Sequence, residues 1–216
     1  MTDPRRRRVP AMAPEDRRAA LIAATVPLLR AHGMLLSTKQ IARAAGVAEG
    51  TIFGVFPDKN SLLVAALLDA LDPQPTLDAI AAVDPALDLR ARLTAAVQLV
   101  NERFAANAHL MTAARSLMQT GGGGPETHRR VHAARDRLQA ALTTLIEPDA
   151  AALRSPPGTT ARILLLFCGG NAFGPFGDPD AFTAGEIVSL LLDGLLIVSA
   201  GNEPSFVPLL RKPEVP

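Results

Sequence analysis

Apolar side chains recur three and four residues apart along most of this 216-residue chain. That spacing matches the turn of an α-helix, and no convincing alternation of β-branched and polar residues predicts a strand. The sequence therefore predicts an all-α fold, with a small three-helix head followed by a larger helical bundle. The predicted helices cover about 14–32, 38–45, 50–56, 58–71, 86–106, 108–119, 125–146, 157–173 and 180–199.

The first predicted helix has clear ends. Pro14 suits its first turn and Gly33 its end. Pro27 should kink this helix or make its last turns irregular. We expect its buried stripe to consist of Ala20, Leu21, Ala24, Leu28 and Ala31.

Proline-rich and basic stretches divide the chain. Residues 1–13 hold Arg5–Arg8 between prolines and lack a helical period, so they should form a flexible arm. Two prolines in Asp72-Pro73-Gln74-Pro75 should stop any helix there. We predict a head over 14–74, a larger helical domain over 75–200 and an irregular tail over 201–216.

Residues 37–56 are the most informative stretch. Ser37, with a glutamine three residues later, forms a capping-box pattern at the start of a short helix. Gly46 allows a tight turn, and Ile52 and Phe56 give a second short helix an inward stripe. Two short helices joined by a glycine turn, with the second one exposed, indicate a helix-turn-helix.

Charge is distributed unevenly along the chain. Residues 1–60 hold ten Lys/Arg and five Asp/Glu, whereas residues 61–216 hold twelve and sixteen. A basic end joined to an acidic remainder suits binding to a polyanion, although ordinary surface charge would also explain it.

The single cysteine and the apolar runs bear on location. Cys168 cannot form an intrachain disulfide, which fits a reducing cytoplasm, and a buried inert thiol is favoured over a sensor. The apolar run 187–200 is too short and too polar to span a membrane. The basic N-terminus lacks an apolar segment behind it, so no secretory signal is predicted. These features favour a cytoplasmic protein without a membrane partner.

Motifs for catalysis or cofactor binding are absent from the sequence. The glycine run 121–124 lacks the lysine of a phosphate-binding loop and is interpreted as a flexible connector. His128 and His132 lie four residues apart, but neighbouring arginines oppose a bound cation and no third ligand is evident. We predict no cofactor, no metal and no catalysis. A small all-α enzyme is kept as an alternative of low weight.

The last predicted helix is apolar on nearly all sides. Such a helix is either central to its own domain or packed against a second subunit. We favour a homodimer, because terminal helices are seldom central in small bundles. The predicted interface residues are Ile187, Leu190, Leu191, Gly194, Leu195 and Val198.

The stretch from Thr38 to Leu63 resembles the DNA-binding signature of the tetracycline-repressor (TetR) family. The matching elements are Ala45-Gly46-Val47, Gly50-Thr51-Ile52-Phe53, and Phe56 followed by Lys59 and Leu62 at the family's spacing. The resemblance covers about 14–71. Over 75–200 only the general plan agrees, an all-helical domain of suitable length that ends in an apolar helix.

This resemblance implies a homodimeric transcriptional regulator, usually a repressor, that binds a palindromic operator and is released by a small molecule. It implies a regulatory and dimerisation role for 75–200. Control by a protein partner, or loss of the ligand, is the alternative. The DNA-contacting positions that we predict, including the arginine arm, are Arg5, Arg6, Arg7, Arg8, Ser37, Thr38, Lys39, Glu49, Gly50, Thr51, Phe53, Gly54 and Lys59.

Two departures from the family pattern weaken the predicted reading helix. Phe53 replaces the usual tyrosine and cannot bond a phosphate, and Gly54 stands where larger side chains are common. Without arginine in this helix, bidentate recognition of guanine is unavailable to it. The Arg5–Arg8 arm, if it enters a minor groove, would compensate; a solvated basic tail is the competing interpretation.

The effector site follows only from the resemblance. Helices that line the family's pocket carry apolar residues with a few polar ones, as small-molecule sites do. Arg115 is of special interest because it would hold an anionic effector, or else pair with an acid across the bundle. The predicted ligand-binding residues are Phe104, His109, Met111, Arg115, Met118, Phe167 and Asn171. The effector, the operator and the direction of regulation are not encoded in any recognisable motif.

Overall fold

The computed structural model describes residues 13–119, 124–173 and 182–195, and within these ranges the chain is helical without a strand. This confirms the all-α prediction. The head has four helices instead of the three predicted, α1 to α4: Pro14–His32, Thr38–Ala45, Glu49–Phe53 and Lys59–Ala70. The body consists of α5 to α10: Gln74–Ala81, Leu89–Ala106, Ala108–Gln119, Gly124–Ile146, Pro157–Phe173 and Ala184–Leu195.

The α1 helix has the predicted ends but a different buried seam. Pro14 lies in its first turn, and Gly33 ends it with a positive φ of 62°. The helix continues through Pro27 to His32. The buried positions are Leu21, Thr25 and Leu29, not the alanines expected at 20 and 31, which are exposed. Thr25 can be buried because its hydroxyl donates to the carbonyl of Leu21 at 2.7 Å.

Two elements were missed by the pattern. The Asp72–Pro75 break ends α4 as predicted, but α5 begins immediately at Gln74 because proline is tolerated in a first helical turn. A 3₁₀ helix over Glu147–Ala152 follows α8 directly.

Two helix limits also differ from prediction. The α3 helix ends at Phe53, so Phe56 is buried from the loop rather than from the helix. Within the described range, α10 begins at Ala184 because Thr183 and Glu186 form a capping box there.

The head closes around its own apolar core. Phe56, Ile52, Ile41 and Leu62 are essentially inaccessible to solvent and belong to one cluster. The α1 helix packs on both α2 and α4. Leu110 of α7 also belongs to this cluster, so the body supplies part of the packing under the head.

The body forms a second core. Helix α8 packs on α9, α6 packs on α9 and α10, and the buried cluster includes Val97, Leu142 and Ile187. Cys168 lies in this cluster, and burial raises the pKa of its thiol to about 12. Its protonated, buried state fits the predicted inert thiol.

Candidate DNA interface and central cavity

The helix-turn-helix is built from strong local signals. Ser37 caps α2: its Oγ accepts from the backbone N–H of Gln40 at 3.2 Å, while the Gln40 side chain accepts from the backbone N–H of Ser37 at 2.8 Å. Gly46 adopts a left-handed φ of 66° at the end of α2. The chain turns there, and the N–H of Val47 donates back to the carbonyl of Ala42 at 3.0 Å. These bonds fix the angle between α2 and α3.

The α3 helix has one buried and one open side. Ile52 is fully buried, whereas Phe53 is 53% exposed and Gly50 and Gly54 are exposed. Thr51 is half-buried. A large aromatic side chain left half in solvent on a five-residue helix offers an apolar surface for contact with another molecule.

A hydrogen bond ties the starts of the two short helices together. The hydroxyl of Thr38, at the first position of α2, donates to the carboxylate of Glu49, at the first position of α3. Both residues were predicted to contact DNA. Their side chains contact each other, so Glu49 also helps to position α3 against α2.

Lys59 lies at the first position of α4 and is exposed. Its ammonium donates to the carbonyl of Leu36, in the loop before α2, at 3.1 Å. An ammonium has three donors, so Lys59 can hold this loop and still meet a phosphate. The preceding residue, Asp58, caps α4 by accepting from the N–H of Ser61 at 2.7 Å, and this bond lowers the pKa of Asp58.

Sequence reasoning missed two cations of the head. Arg43 is exposed on α2, four residues after the exposed Lys39, so the two lie on one helix face. That spacing was visible in the sequence. The guanidinium of Arg18 lies 4.3 Å from the ring centroid of Phe56, and no sequence pattern indicated this cation–π contact. Arg5, Arg6, Arg7 and Arg8 lie outside the described residues.

A cavity of about 490 Å³, here called the central cavity, lies where α4 meets the body. Leu68 of α4 and Leu71, which directly follows that helix, form part of its wall, and Phe104 of α6 and Met111 of α7 form another part. The two latter residues were predicted to bind a ligand. Its size and mainly apolar wall are typical of small-molecule sites.

The other predicted ligand-binding residues lie elsewhere or are not described. His109 does not line the central cavity. Phe167 contacts Phe182 edge to face, with ring centroids 5.8 Å apart. Asn171 exchanges two hydrogen bonds with the backbone of Phe182, at 2.9 and 3.0 Å. Phe167 and Asn171 therefore hold Phe182, which lies just before α10. The side chains of Arg115 and Met118 lie outside the described structure.

The predicted subunit-interface residues divide into two groups. Ile187 is fully buried in the protomer core, which corrects its assignment to an interface, and Leu191 packs against the same core. Leu190 is 57% exposed and Gly194 is exposed. The Leu195 side chain and Val198 are outside the described residues. The α9 helix, which packs against α10, adds another exposed leucine, Leu166 at 59%.

Other classes of site find no support in the described part of the chain. No group of three or more His, Cys, Asp or Glu side chains there could hold a metal ion. None of the helices in those ranges is long and apolar enough to cross a membrane.

Residues 21–66 match the family model of "Bacterial regulatory proteins, tetR family". The matched range contains the whole helix-turn-helix and most of α1 and α4. The rest of the chain lies outside this match and is compared through its fold.

Solved structures share the fold over both head and body. The fold is similar to that of a TetR transcription regulator from Haloarcula marismortui, at 20% identity and a TM-score of 0.63, covering 85% of this chain and all of that one. It is also similar to a TetR-family regulator from Agrobacterium tumefaciens, at 20% identity and a TM-score of 0.59, covering 86% and 100%. Residues 21–66 thus form a TetR-family DNA-binding domain with an exposed helix-turn-helix, in a chain that has the fold of TetR-family transcriptional regulators.

Proposed function

We propose that this regulator is a ligand-responsive repressor that binds a palindromic operator as a homodimer in the cytoplasm. One observation carries the proposal: a single helix, α4, contributes both to the core that supports α3 and to the wall of the central cavity. Leu62 and Leu63 of α4 lie in the head core, while Leu68 and Leu71 line the cavity. A molecule in the cavity would therefore bear on the helix that supports the DNA-binding residues.

The DNA surface that we propose comprises the exposed side of the helix-turn-helix. Gly50, Thr51, Phe53 and Gly54 face the major groove or its edge, and Thr51 and Phe53 suit contact with a thymine methyl group. Ser37, Thr38, Lys39, Glu49 and Lys59 set the position on the backbone. The charges at Lys39 and Lys59 supply affinity without sequence information.

The arm Arg5–Arg8 is proposed to add phosphate or minor-groove contacts, because α3 itself has no cation. Deleting residues 1–9 should weaken operator binding and flatten its salt dependence by about 0.9 in log–log slope for each phosphate that the arm neutralises in the full chain. The measurement is a titration by fluorescence anisotropy at several salt concentrations. An unchanged affinity and slope would show that the arm is a solvated tail.

The dimer is proposed to form through α9 and α10. Leu166 and Leu190 are large, exposed and apolar on two helices that pack together, and an added Cβ at Gly170 or Gly194 would meet no atom within 4 Å. These features would let a second copy approach closely. In sedimentation velocity the chain should have twice its 22.7 kDa mass. Leu190→Glu should give a monomer, whereas Leu35→Glu, at a 93% exposed head position, should leave the dimer intact. A wild-type monomer bound to its operator would overturn this part.

Two further points belong to the proposal. The division at residue 74 is kept for the head and the regulatory domain, with Leu110 and Ala114 of α7 packing under the head. The central cavity favours a small molecule over a protein partner as the effector, because a cavity of about 490 Å³ can enclose one. The ligand would favour a geometry in which the two α3 helices no longer match half-sites about 34–36 Å apart.

A reporter assay tests the repressor assignment. A promoter taken from the DNA upstream of this gene, fused to a reporter, should be expressed less when the protein is supplied. Thr51→Ala combined with Phe53→Ala should restore expression, because both changes remove exposed groups of α3. Increased expression with the wild-type protein would contradict repression and indicate an activator.

A further inference from the structure

Two arginines of the body hold the corner between α4 and α5. Arg103 of α6 donates through Nη1 to the carbonyl of Asp72 at 2.8 Å and through Nη2 to the carbonyl of Leu71. Arg137 of α8 donates to the side-chain oxygen of Gln74, and its Nη1 lies 3.6 Å from Oδ1 of Asp72. Both arginines also line the central cavity. The cavity and the support of α4 therefore share the same two cations.

The charge of Arg103 is poorly compensated. The hydrogen bonds from its Nη1 and Nη2 go to neutral carbonyl groups, and its buried Nε has no hydrogen-bond partner among the described residues. Burial lowers the pKa of Arg103, and the charge of Asp72 opposes this only in part. A half-buried guanidinium without a close carboxylate is stabilised when an anion binds beside it.

The same imbalance extends over the whole cavity. Four arginines line it (103, 130, 135 and 137), against one acidic residue, Asp72, whose side chain is 53% exposed. The remaining wall is mainly apolar and includes Phe104, Met111 and Leu138. A small inorganic anion would leave this apolar wall unfilled, and a neutral apolar molecule would leave Nε of Arg103 without a hydrogen-bond acceptor. Both parts of the wall are satisfied by a molecule with an apolar body and one anionic end.

We propose that the central cavity binds an amphipathic organic carboxylate whose charged end pairs with Arg103 and Arg137. This inference rests on the proposed ligand-responsive function and adds the chemical class of the effector. A planar carboxylate matches the fork of a guanidinium. A carboxylate oxygen can accept from the unpartnered Nε of Arg103, and one that draws Nη1 or Nη2 toward it competes with a bond to the α4–α5 corner. Ligand binding thus frees the C-terminal end of α4, the helix that carries part of the head core.

Calorimetric titration of the full chain tests the ligand class. The probes are decanoate and naphthoate, each compared with its alcohol, and decylamine as the cationic counterpart. At least one carboxylate should bind about tenfold or more tightly than its alcohol, since charge-assisted bonds contribute about 1.5–3 kcal/mol. Alcohols that bind as tightly as the carboxylates, an amine that binds more tightly, or the absence of carboxylate binding would each overturn the proposal.

Variants test the two arginines. Arg103→Met and Arg137→Met should each weaken binding of the carboxylate about tenfold, by the same estimate of charge-assisted bonds. Arg129→Met is the matched control: it also lies on α8, pairs with Glu126 at the surface and does not line the cavity. Equal affinity in all three variants and the wild type would overturn the proposal.

A variant that tests charge without disturbing the corner keeps the test decisive if Arg103→Met fails to fold. Arg135 lines the cavity and is exposed, and the bonds to the corner come from Arg103 and Arg137 instead. Arg135→Met should fold normally and weaken carboxylate binding less than Arg137→Met does. Carboxylate affinity that does not fall in either variant would contradict the proposed anion site.

Operator binding separates this inference from the proposed function. In the wild type the bound carboxylate should weaken DNA affinity, and in Arg137→Met the same concentration should weaken it less. A protein that binds its operator but no carboxylate overturns the inference and leaves the regulator intact. A protein that binds the carboxylate but releases no DNA overturns the ligand-responsive function, and the anion site stands.

Discussion

The head and the body of this protein are held by different kinds of contact. In the head, the caps at Ser37 and Asp58 join groups three residues apart above an apolar core. The longer polar contacts of the head, from Thr38 to Glu49 and from Lys59 to Leu36, stay within the helix-turn-helix and the residues that flank it. In the body, arginines bridge long stretches of chain: Arg92 reaches Asp149 and Arg103 reaches Leu71. The head cations at 39, 43 and 59 are exposed, whereas Arg92 is buried and Arg103 is half-buried.

The largest expected effect is a loss of stability at a packing residue of the head, compared with a residue proposed to contact DNA. Phe56→Ala removes a side chain that is 1% exposed and should destabilise the protein by about 3–5 kcal/mol, with loss of DNA binding. Phe53→Ala, three residues earlier but half exposed, should change stability by less than about 0.5 kcal/mol and still weaken operator binding. Chemical denaturation and anisotropy titrations measure the two quantities. Equal destabilisation by both variants would show that Phe53 is a packing residue.

A smaller effect is expected from the internal charges of the body. Asp149→Ala leaves the buried Arg92 bonded only to carbonyls and should cost about 1.5–2 kcal/mol, near the lower end for charged hydrogen bonds because Asp149 is 34% exposed. Asp193→Ala removes the partner of Arg90 in an exposed pair and should cost less than about 0.5 kcal/mol. Urea unfolding gives both values. If the two variants lose the same stability, the body does not depend on its buried cation.

The smallest effect compares one helix cap from each region by its response to acid. Hydrogen bonds from Ser61 lower the pKa of Asp58 in the head, and hydrogen bonds from Thr183 lower the pKa of Glu186 in the body. A lowered folded-state pKa stabilises above the unfolded values of 3.8 and 4.5, and this is lost as pH falls through the folded pKa. Asp58→Ala and Glu186→Ala should therefore lower Tm at pH 7 and lower it less at about pH 3. A pH-independent gap in Tm would mean that the carboxylate charges do not stabilise the caps.

The same contrast explains how much could be predicted from sequence. The cap at Ser37 and the turn at Gly46 are encoded within a few residues, and the pattern located them correctly. The α5 helix was missed because the prolines at 73 and 75 were interpreted only as the end of a helix, whereas they also stand at the start of the next one. Arg103 was missed as a cavity residue because its role depends on a contact with Leu71, 32 residues away. A periodic pattern carries no information on such pairings.

The exposed face of α9 and α10 could be predicted from the sequence only in part. The apolar character of the last helix was evident, but an all-round apolar helix does not show which side packs inward. The structure assigns Ile187 to the protomer core and leaves Leu190 exposed. The two residues are three apart, which is most of one helical turn, so they lie close together on the helix surface. Which of them is buried was therefore decided by the packing of α6 against α10.

Recognition of a DNA sequence by the open side of α3 is measured by anisotropy titration. The full chain is titrated at physiological salt against a labelled duplex from its own upstream region or a neighbouring promoter, and against a shuffled duplex of equal composition. We expect binding to one of the genomic duplexes about a thousandfold or more tighter than to the shuffled one. Equal affinities for all these duplexes would show that α3 does not recognise a DNA sequence.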